Sequence, residues 1–489
     1  MEKSRQVQYL VTLCVSLAFV CLGMLSAWPT PVLSKFHDNE TSVDITDNGI
    51  SWMLSMKPIG FILGSFATRF TSDNLGRRAT ILGSAIPIAI GMLIVAFAKN
   101  AWLLGIMTLL WSFGTGMLST VIGIYLAEIA DTEIRGTLSL CTRFTFHLGN
   151  LLIMCIGPFV SYETINYLML PLPFVYFAAC WWIPESPYFH LKEGKVDAAR
   201  RQLVKLKCCK DEKELDNLLS SKQADVNKEM ERSSSTKELF TGRQYRKALI
   251  ISAGLKATQI LTGSVTIKEY LGPICRESNI PKYHERTVLL VFGAVTFVVG
   301  IMSTMLVDRV GRRPLLIYSY FVTGLSLVVV GAYFFLQDVI RVNHDFLAIF
   351  GFIPFLAILI ANIVSTIGFN SLVSVIPAEI FPLNVKAVAM TSLNVFGGVL
   401  GFLVAKCYQN VKDLVGLTAV FWIFGTVGIV GGFFTYFVVP ETKGKNLREI
   451  QLMLEGDYTA VKLNQDAVNC QVNEEVPLEE VNMNIEVKK

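Results

Sequence analysis

The feature that most constrains this chain is a series of apolar runs, each long enough to cross about 30 Å of hydrocarbon, recurring from the N-terminus almost to residue 440. The runs fall at approximately 9–31, 50–70, 79–98, 102–126, 138–160, 165–183, 247–272, 287–307, 314–335, 347–376, 387–408 and 415–439. Backbone inside lipid has no water to bond to, so every N–H and C=O must find its partner within the segment. That requirement predicts twelve helices and an all-α polytopic membrane protein rather than a soluble core of strands. Composition agrees, with 52% of the 489 residues hydrophobic and 17% charged, against roughly 25% charged in an ordinary soluble domain. A net charge of +4 is too mild for a nucleic-acid partner, and the basic residues sit in short clusters between the runs. The first run lacks an A-x-A cleavage site and keeps Trp28, Pro29 and Pro31 near its end, so it is expected to stay as a helix. Of the ten cysteines, Cys14, Cys21, Cys141, Cys155, Cys180 and Cys407 lie within or at the ends of apolar runs, which points to small buried hydrophobes rather than disulfides.

Arg77, Arg78, Arg312 and Arg313 follow even-numbered runs, as does the basic segment after run six, whereas the 32–49 loop carries Asp38, Glu40, Asp44 and Asp47 against Lys35. The positive-inside rule then places both termini in the cytoplasm, and a multi-pass plasma-membrane location is expected. Asn39 heads an Asn-Glu-Thr glycosylation sequon in the acidic loop, which faces outward in this topology. The expected organisation is a six-helix half at 1–187, a cytosolic linker at 188–246, a second six-helix half at 247–445, and a largely disordered cytosolic tail at 446–489. In the linker, Val196, Ala199, Leu203 and Leu206 recur at helical spacing among Lys and Arg, the pattern of an amphipathic helix.

Three polar patterns occur once in each half, at matching places relative to the apolar runs. Asp73 with Arg77 and Arg78 matches Asp308 with Arg312 and Arg313; Ala127-Glu128 followed by Arg135 matches Ala378-Glu379 followed by Lys386; and Pro184-Glu185-Ser186 matches Pro440-Glu441-Thr442. The chain therefore reads as a duplicated six-helix unit, the architecture of carriers whose halves rock about a site near the midplane. The repeated charges all fall at one end of the helices, where ion pairs can form in one conformation and part in another. Arg77, Arg78, Glu128, Arg135, Glu185, Arg312, Arg313, Glu379, Lys386 and Glu441 are accordingly expected to form a gate.

These patterns, with Pro187, Gln259, Leu261-Thr262-Gly263, Tyr270, Ile380-Phe381-Pro382 and Lys443-Gly444, resemble the sugar porter family of the major facilitator superfamily over roughly residues 10–455. Trp52, Pro58 and Gly64, and the Trp28-Pro29-Thr30-Pro31 ending of run one, are most similar to the facilitated trehalose and hexose transporters of insects. The resemblance implies alternating access, an inner gate built from the repeated charges, and a sugar bound between the halves.

The chain departs from that pattern where a sugar would bind. The family's Q-Q-x-[ST]-G-x-N becomes Gln259-Ile260-Leu261-Thr262-Gly263-Ser264-Val265, its glutamine in run five is Arg143, and its Asn-Trp in run eleven falls on Gly397-Gly398. Gln259, Thr262 and Thr296 remain as neutral candidates for contacting a solute. Lys57, Arg143, His147, Lys268 and Glu269 place new charge in the runs, and an ionisable group at membrane depth costs several kcal/mol unless it is paired or lines a water-filled cavity. Lys57 and Arg143 are therefore either solute-binding or structural partners of Glu269, the one acid in the middle of a run. Run one holds no Asp or Glu, which favours a facilitator over a proton-coupled carrier.

The leading functional reading is a monomeric facilitative carrier of a small polyhydroxylated solute. A carrier of a different, anionic solute and a weakly transporting sensor are the alternatives. No P-loop, G-x-S-x-G elbow or His/Cys cluster is present, so no enzyme activity, cofactor or metal is expected.

Overall fold

The computed structural model describes residues 2–38, 40–41, 43–131, 134–207, 212–231, 239, 245–278, 282–342, 350–443, 445, 449–450 and 453. The sequon at Asn39 and the tail beyond residue 453 lie outside the described residues. The first half contains α1 (Glu2–Ala27), α2 (Pro29–His37), α3 (Asp47–Asn74), α4 (Arg77–Gly83), α5 (Ala85–Phe97), α6 (Ala101–Ile129), α7 (Arg135–Ile156), α8 (Tyr162–Met169) and α9 (Leu172–Cys180). Three linker helices follow: α10 (Pro187–Lys192), α11 (Val196–Lys207) and α12 (Glu212–Glu231). The second half contains α13 (Arg246–Leu261), α14 (Ser264–Glu269), α15 (Leu271–Glu277), α16 (Lys282–Val310), α17 (Arg312–Asp338), α18 (Phe352–Ile367), α19 (Phe369–Ile380), α20 (Leu383–Val415) and α21 (Leu417–Val438). No strand occurs among the described residues beyond one isolated bridge between Asp44 and Asn100.

Among the described residues, eleven stretches are long and apolar enough to span a bilayer. The remaining crossing is the α8–α9 pair, too short singly because Pro171 ends one helix and begins the next. The first crossing runs past the end expected from the sequence, to His37, because Pro29 and Pro31 occupy the start of α2, where a missing N–H costs nothing. Besides the first and sixth, three crossings read as unbroken from the sequence are interrupted, and the third breaks at Ser84 between α4 and α5. The seventh breaks at Gly263, with φ of +68°, and again at Tyr270. The tenth breaks at Gly368, where an added Cβ would lie 2.1 Å from the Ser319 side chain.

Close helix packing in lipid relies on small residues. A Cβ on Gly64 of α3 would lie 1.9 Å from the Phe113 carbonyl of α6, and one on Gly149 of α7 would lie 2.2 Å from the Val20 carbonyl of α1. The halves meet along two seams. In one, Pro58 and Ile62 of α3 pack on Gly398 and Gly401 of α20; in the other, His147 and Met154 of α7 pack on Gly300 and Gly293 of α16. In the linker, Ala199, Leu203 and Leu206 of α11 are buried while Val196 is exposed.

Candidate functional site

The repeated charges form two clusters, one in each half, at the end of the bundle nearest the linker. Gly76 and Gly311 have φ of +97° and +105°, where L side chains rarely sit, and each turns the chain into a following helix. The first N–H groups of that helix need an acceptor from outside it. Glu185 accepts from the backbone N–H of Arg77 at 2.9 Å and of Arg78 at 3.1 Å. Glu441 accepts from Arg312 and Arg313, both at 3.1 Å. Burial pushes the Glu441 carboxyl up, but the backbone N–H groups of Lys443, Arg312, Arg313 and Thr442 together hold it below the usual carboxylate value.

The guanidinium groups repeat the same symmetry. Arg77 donates through Nε and Nη2 to Glu128 at 2.9–3.1 Å, and Arg312 donates to Glu379 at 3.2 Å. Arg78 bonds the Trp181 carbonyl and lies 5.7 Å from that ring; Arg313 bonds the Tyr436 carbonyl at 2.6 Å and lies 5.8 Å from that ring. The mirror is incomplete at Lys386, which is half-buried and makes no hydrogen bond or ion pair with a described residue. Glu379 is instead bonded by Arg312 and by the Thr442 hydroxyl. The side chain of Arg135 lies outside the described residues.

At the opposite end the halves are joined directly. Arg276 of α15 bonds Asp38, the Ser34 carbonyl and buried Glu285, so one guanidinium ties α2 to α15 and α16. Lys406 of α20 donates to Asn48 at 2.7 Å and lies 4.3 Å from the Trp52 ring centroid. Thr30 donates to the Lys268 carbonyl. Deeper in, Lys57 of α3 pairs with Glu269 of α14 at 2.7 Å and also donates to the Ser26 carbonyl. Lys57 borders a cavity of about 250 Å³ walled mainly by apolar side chains of α1, α3, α6 and α7, including Phe19, Trp111 and Phe146, with Ser26, Thr108, Ser112, Thr115 and Ser119 as polar exceptions. These bridging bonds close the bundle at the end remote from the linker.

Two closely matched charge clusters at one end, and halves bonded at the other, describe a two-part carrier. The profile of the family described as sugar (and other) transporter matches residues 16–454. This chain belongs to the sugar transporter family. It is 28% identical over 457 residues to the facilitated trehalose transporter Tret1 of Bombyx mori, covering 93% of this chain and 88% of that one. It is 30% identical over 452 residues to the same-named protein of Drosophila mojavensis, covering 92% of this chain and 51% of the relative. The chain thus spans about half the length of the Drosophila relatives. Its fold matches the inward-open xylose transporter XylE from E. coli with a TM-score of 0.73 at 18% identity, covering 91% of this chain and 99% of that one. The XylE complex with 6-bromo-6-deoxy-D-glucose gives a TM-score of 0.70, also at 18% identity.

Within this sugar-transporter fold, the neutral candidates are tied into the second half. Gln259 donates through Nε2 to Asn370 Oδ1 at 3.2 Å, while its side-chain oxygen Oε1 is buried without a partner and its backbone carbonyl is bonded by Thr262. Thr262 is fully buried and bonds the Gln259 carbonyl, and Thr296 accepts from Asn362 at 2.7 Å. The sequence reading missed Asn362, Asn370 and Arg276, and it missed Lys256, a cation inside the seventh apolar run. The rule that singled out Lys57, charge at membrane depth, would have found Lys256. No sequence signal marked Asn362 and Asn370, because uncharged amides are tolerated in many transmembrane helices.

Proposed function

We propose that the chain is a facilitative, alternating-access carrier of a small polyhydroxylated solute of the sugar, hexose or trehalose class. The observation that carries this reading is the pairing of duplicated Arg–Glu clusters at one end with ion-paired closure of the halves at the other. Such an arrangement has two alternative closures, and a solute held between them changes side when one replaces the other. The facilitated trehalose transporters it resembles support the solute class. Absence of Asp and Glu from residues 9–31 favours downhill movement without a coupled proton.

The protein acts as a monomer in the plasma membrane, with its termini and linker cytoplasmic and Asn39 glycosylated on the outer side. Purified full-length protein in proteoliposomes should exchange labelled trehalose or glucose against an internal pool, with no effect of an imposed proton gradient. A rate equal to that of empty liposomes for every polyol tried would overturn the carrier reading. Mobility on glycosidase treatment, lost in Asn39→Gln, checks the topology.

A further inference from the structure

The charges inside the bundle do not balance. Glu269, at the end of α14, is taken by Lys57. That leaves Arg143, Lys256 and Lys268, none of whose cationic groups makes a hydrogen bond or ion pair with a described residue. Arg143 lies eight residues into α7 and Lys256 ten residues into α13, which puts them about 12 and 15 Å along their helices from the linker end. Both depths are near the middle of a bilayer of about 30 Å.

Helical geometry gives the direction in which Arg143 points. Gly149 of α7 packs on α1, while Phe144, His147 and Met154 pack on α16. At 100° per residue, Arg143 falls on the arc between these two contacts, together with Phe146, which lines the cavity. Arg143 and His147 lie one turn apart on α7. The His147 Nδ1 atom there is buried without a hydrogen-bond partner. On the α20 side, the Lys256 stem occupies the volume that a side chain at residue 397 would fill: a Cβ on Gly397 would lie 2.5 Å from its Cε. Lys268 borders a small pocket beside Thr262 and Asn362.

Uncompensated cations at this depth are costly, and a guanidinium does not relieve the cost by losing its proton. We infer that the solute supplies the missing charge: Arg143, Lys256 and Lys268, set among the amides of Gln259, Asn362 and Asn370, form a site for a hydroxylated organic anion, a sugar-like molecule bearing a carboxylate or phosphate. The inference rests on the carrier reading and refines its substrate class. The side-chain oxygen Oε1 of Gln259, buried without a donor, suits a solute hydroxyl, and the cations suit its anionic group.

The test compares labelled gluconate, glucuronate, glucose 6-phosphate and glucose with the full chain in proteoliposomes, with and without an imposed membrane potential. One anion at least should outrun glucose by about tenfold or more, the equivalent of one charge-assisted contact, and an interior-positive potential should speed its entry. The carboxylates and the phosphate ester separate the two forms of the anion. Arg143→Gln and Lys256→Gln should each lower the ratio of anion to glucose flux about tenfold or more, while Lys256→Arg should retain anion flux. Glucose moving while no anion moves or competes would overturn the inference and leave the carrier reading standing. If no solute moves, the carrier reading falls, and thermal stabilisation decides the site. An anion, but not glucose, raising the melting temperature of the wild type more than that of Arg143→Gln supports it; no such difference overturns it.

Discussion

At the scale of single residues, the most consequential contact is Lys57 with Glu269, 2.7 Å apart with side-chain exposures of 27% and 7%. Removing one partner of such a pair leaves an uncompensated charge at a cost of about 3–5 kcal/mol, whereas removing both costs little beyond lost packing. Lys57→Met and Glu269→Gln should each lower thermal stability in detergent, and the double variant should recover most of the loss. Strict additivity of the two effects would show that the contact is not made in the protein. The individual charges were legible in the sequence because lysine and glutamate inside an apolar run stand out. Their partnership was not, since either Lys57 or Arg143 could have met Glu269 until the relative rotation of α3, α7 and α14 was known. Lys386 shows the opposite failure, a matched position in sequence whose expected acid is satisfied by Arg312 and Thr442 instead.

At the scale of elements, the duplicated loops were legible almost completely, because glycine, arginine pair and distant glutamate each have a definite task at the helix start. The two copies differ in one detail that the sequence does not reveal. A Cβ at residue 76 would lie 2.5 Å from the Glu185 carboxylate, whereas one at residue 311 would lie 3.3 Å from that of Glu441. Both alanine substitutions incur left-handed backbone strain of about 1–2 kcal/mol, but only Gly76→Ala also collides with the capping carboxylate. Gly76→Ala should therefore lower the melting temperature more than Gly311→Ala, and adding Glu185→Ala should cost less in the Gly76→Ala background than in the wild type. Equal losses for the two glycines would contradict the geometry. The breaks at Gly263, Tyr270 and Gly368 were illegible for a related reason. Glycine is common in transmembrane helices, so an apolar run containing one gives no sign of whether the helix passes through it or stops.

At the scale of the whole molecule, the all-helical succession of crossings followed from hydrophobic length, but which end of the bundle is closed did not. Closure depends on contacts between residues more than two hundred positions apart, such as Asp38 and Arg276, whose neighbourhood no local pattern records. Arg276 is the hub of that closure, bonding Asp38 of the first half and Glu285 of its own. Asp38→Asn weakens only the bond that crosses between halves, because Glu285 still neutralises the guanidinium and the fold of the second half is preserved. A buried charge contact reduced to a neutral one loses about 1–2 kcal/mol, enough to shift a two-state equilibrium by roughly fivefold to thirtyfold. Spin labels at Thr164 and Ile340, exposed at this end on opposite halves, should report that shift as a longer-distance population that grows in Asp38→Asn. Arg276→Gln should enlarge it further, with some loss of stability from the stranded Glu285 carboxylate. A distance distribution identical in wild type and Asp38→Asn would show that the ion pair does not hold the two halves together.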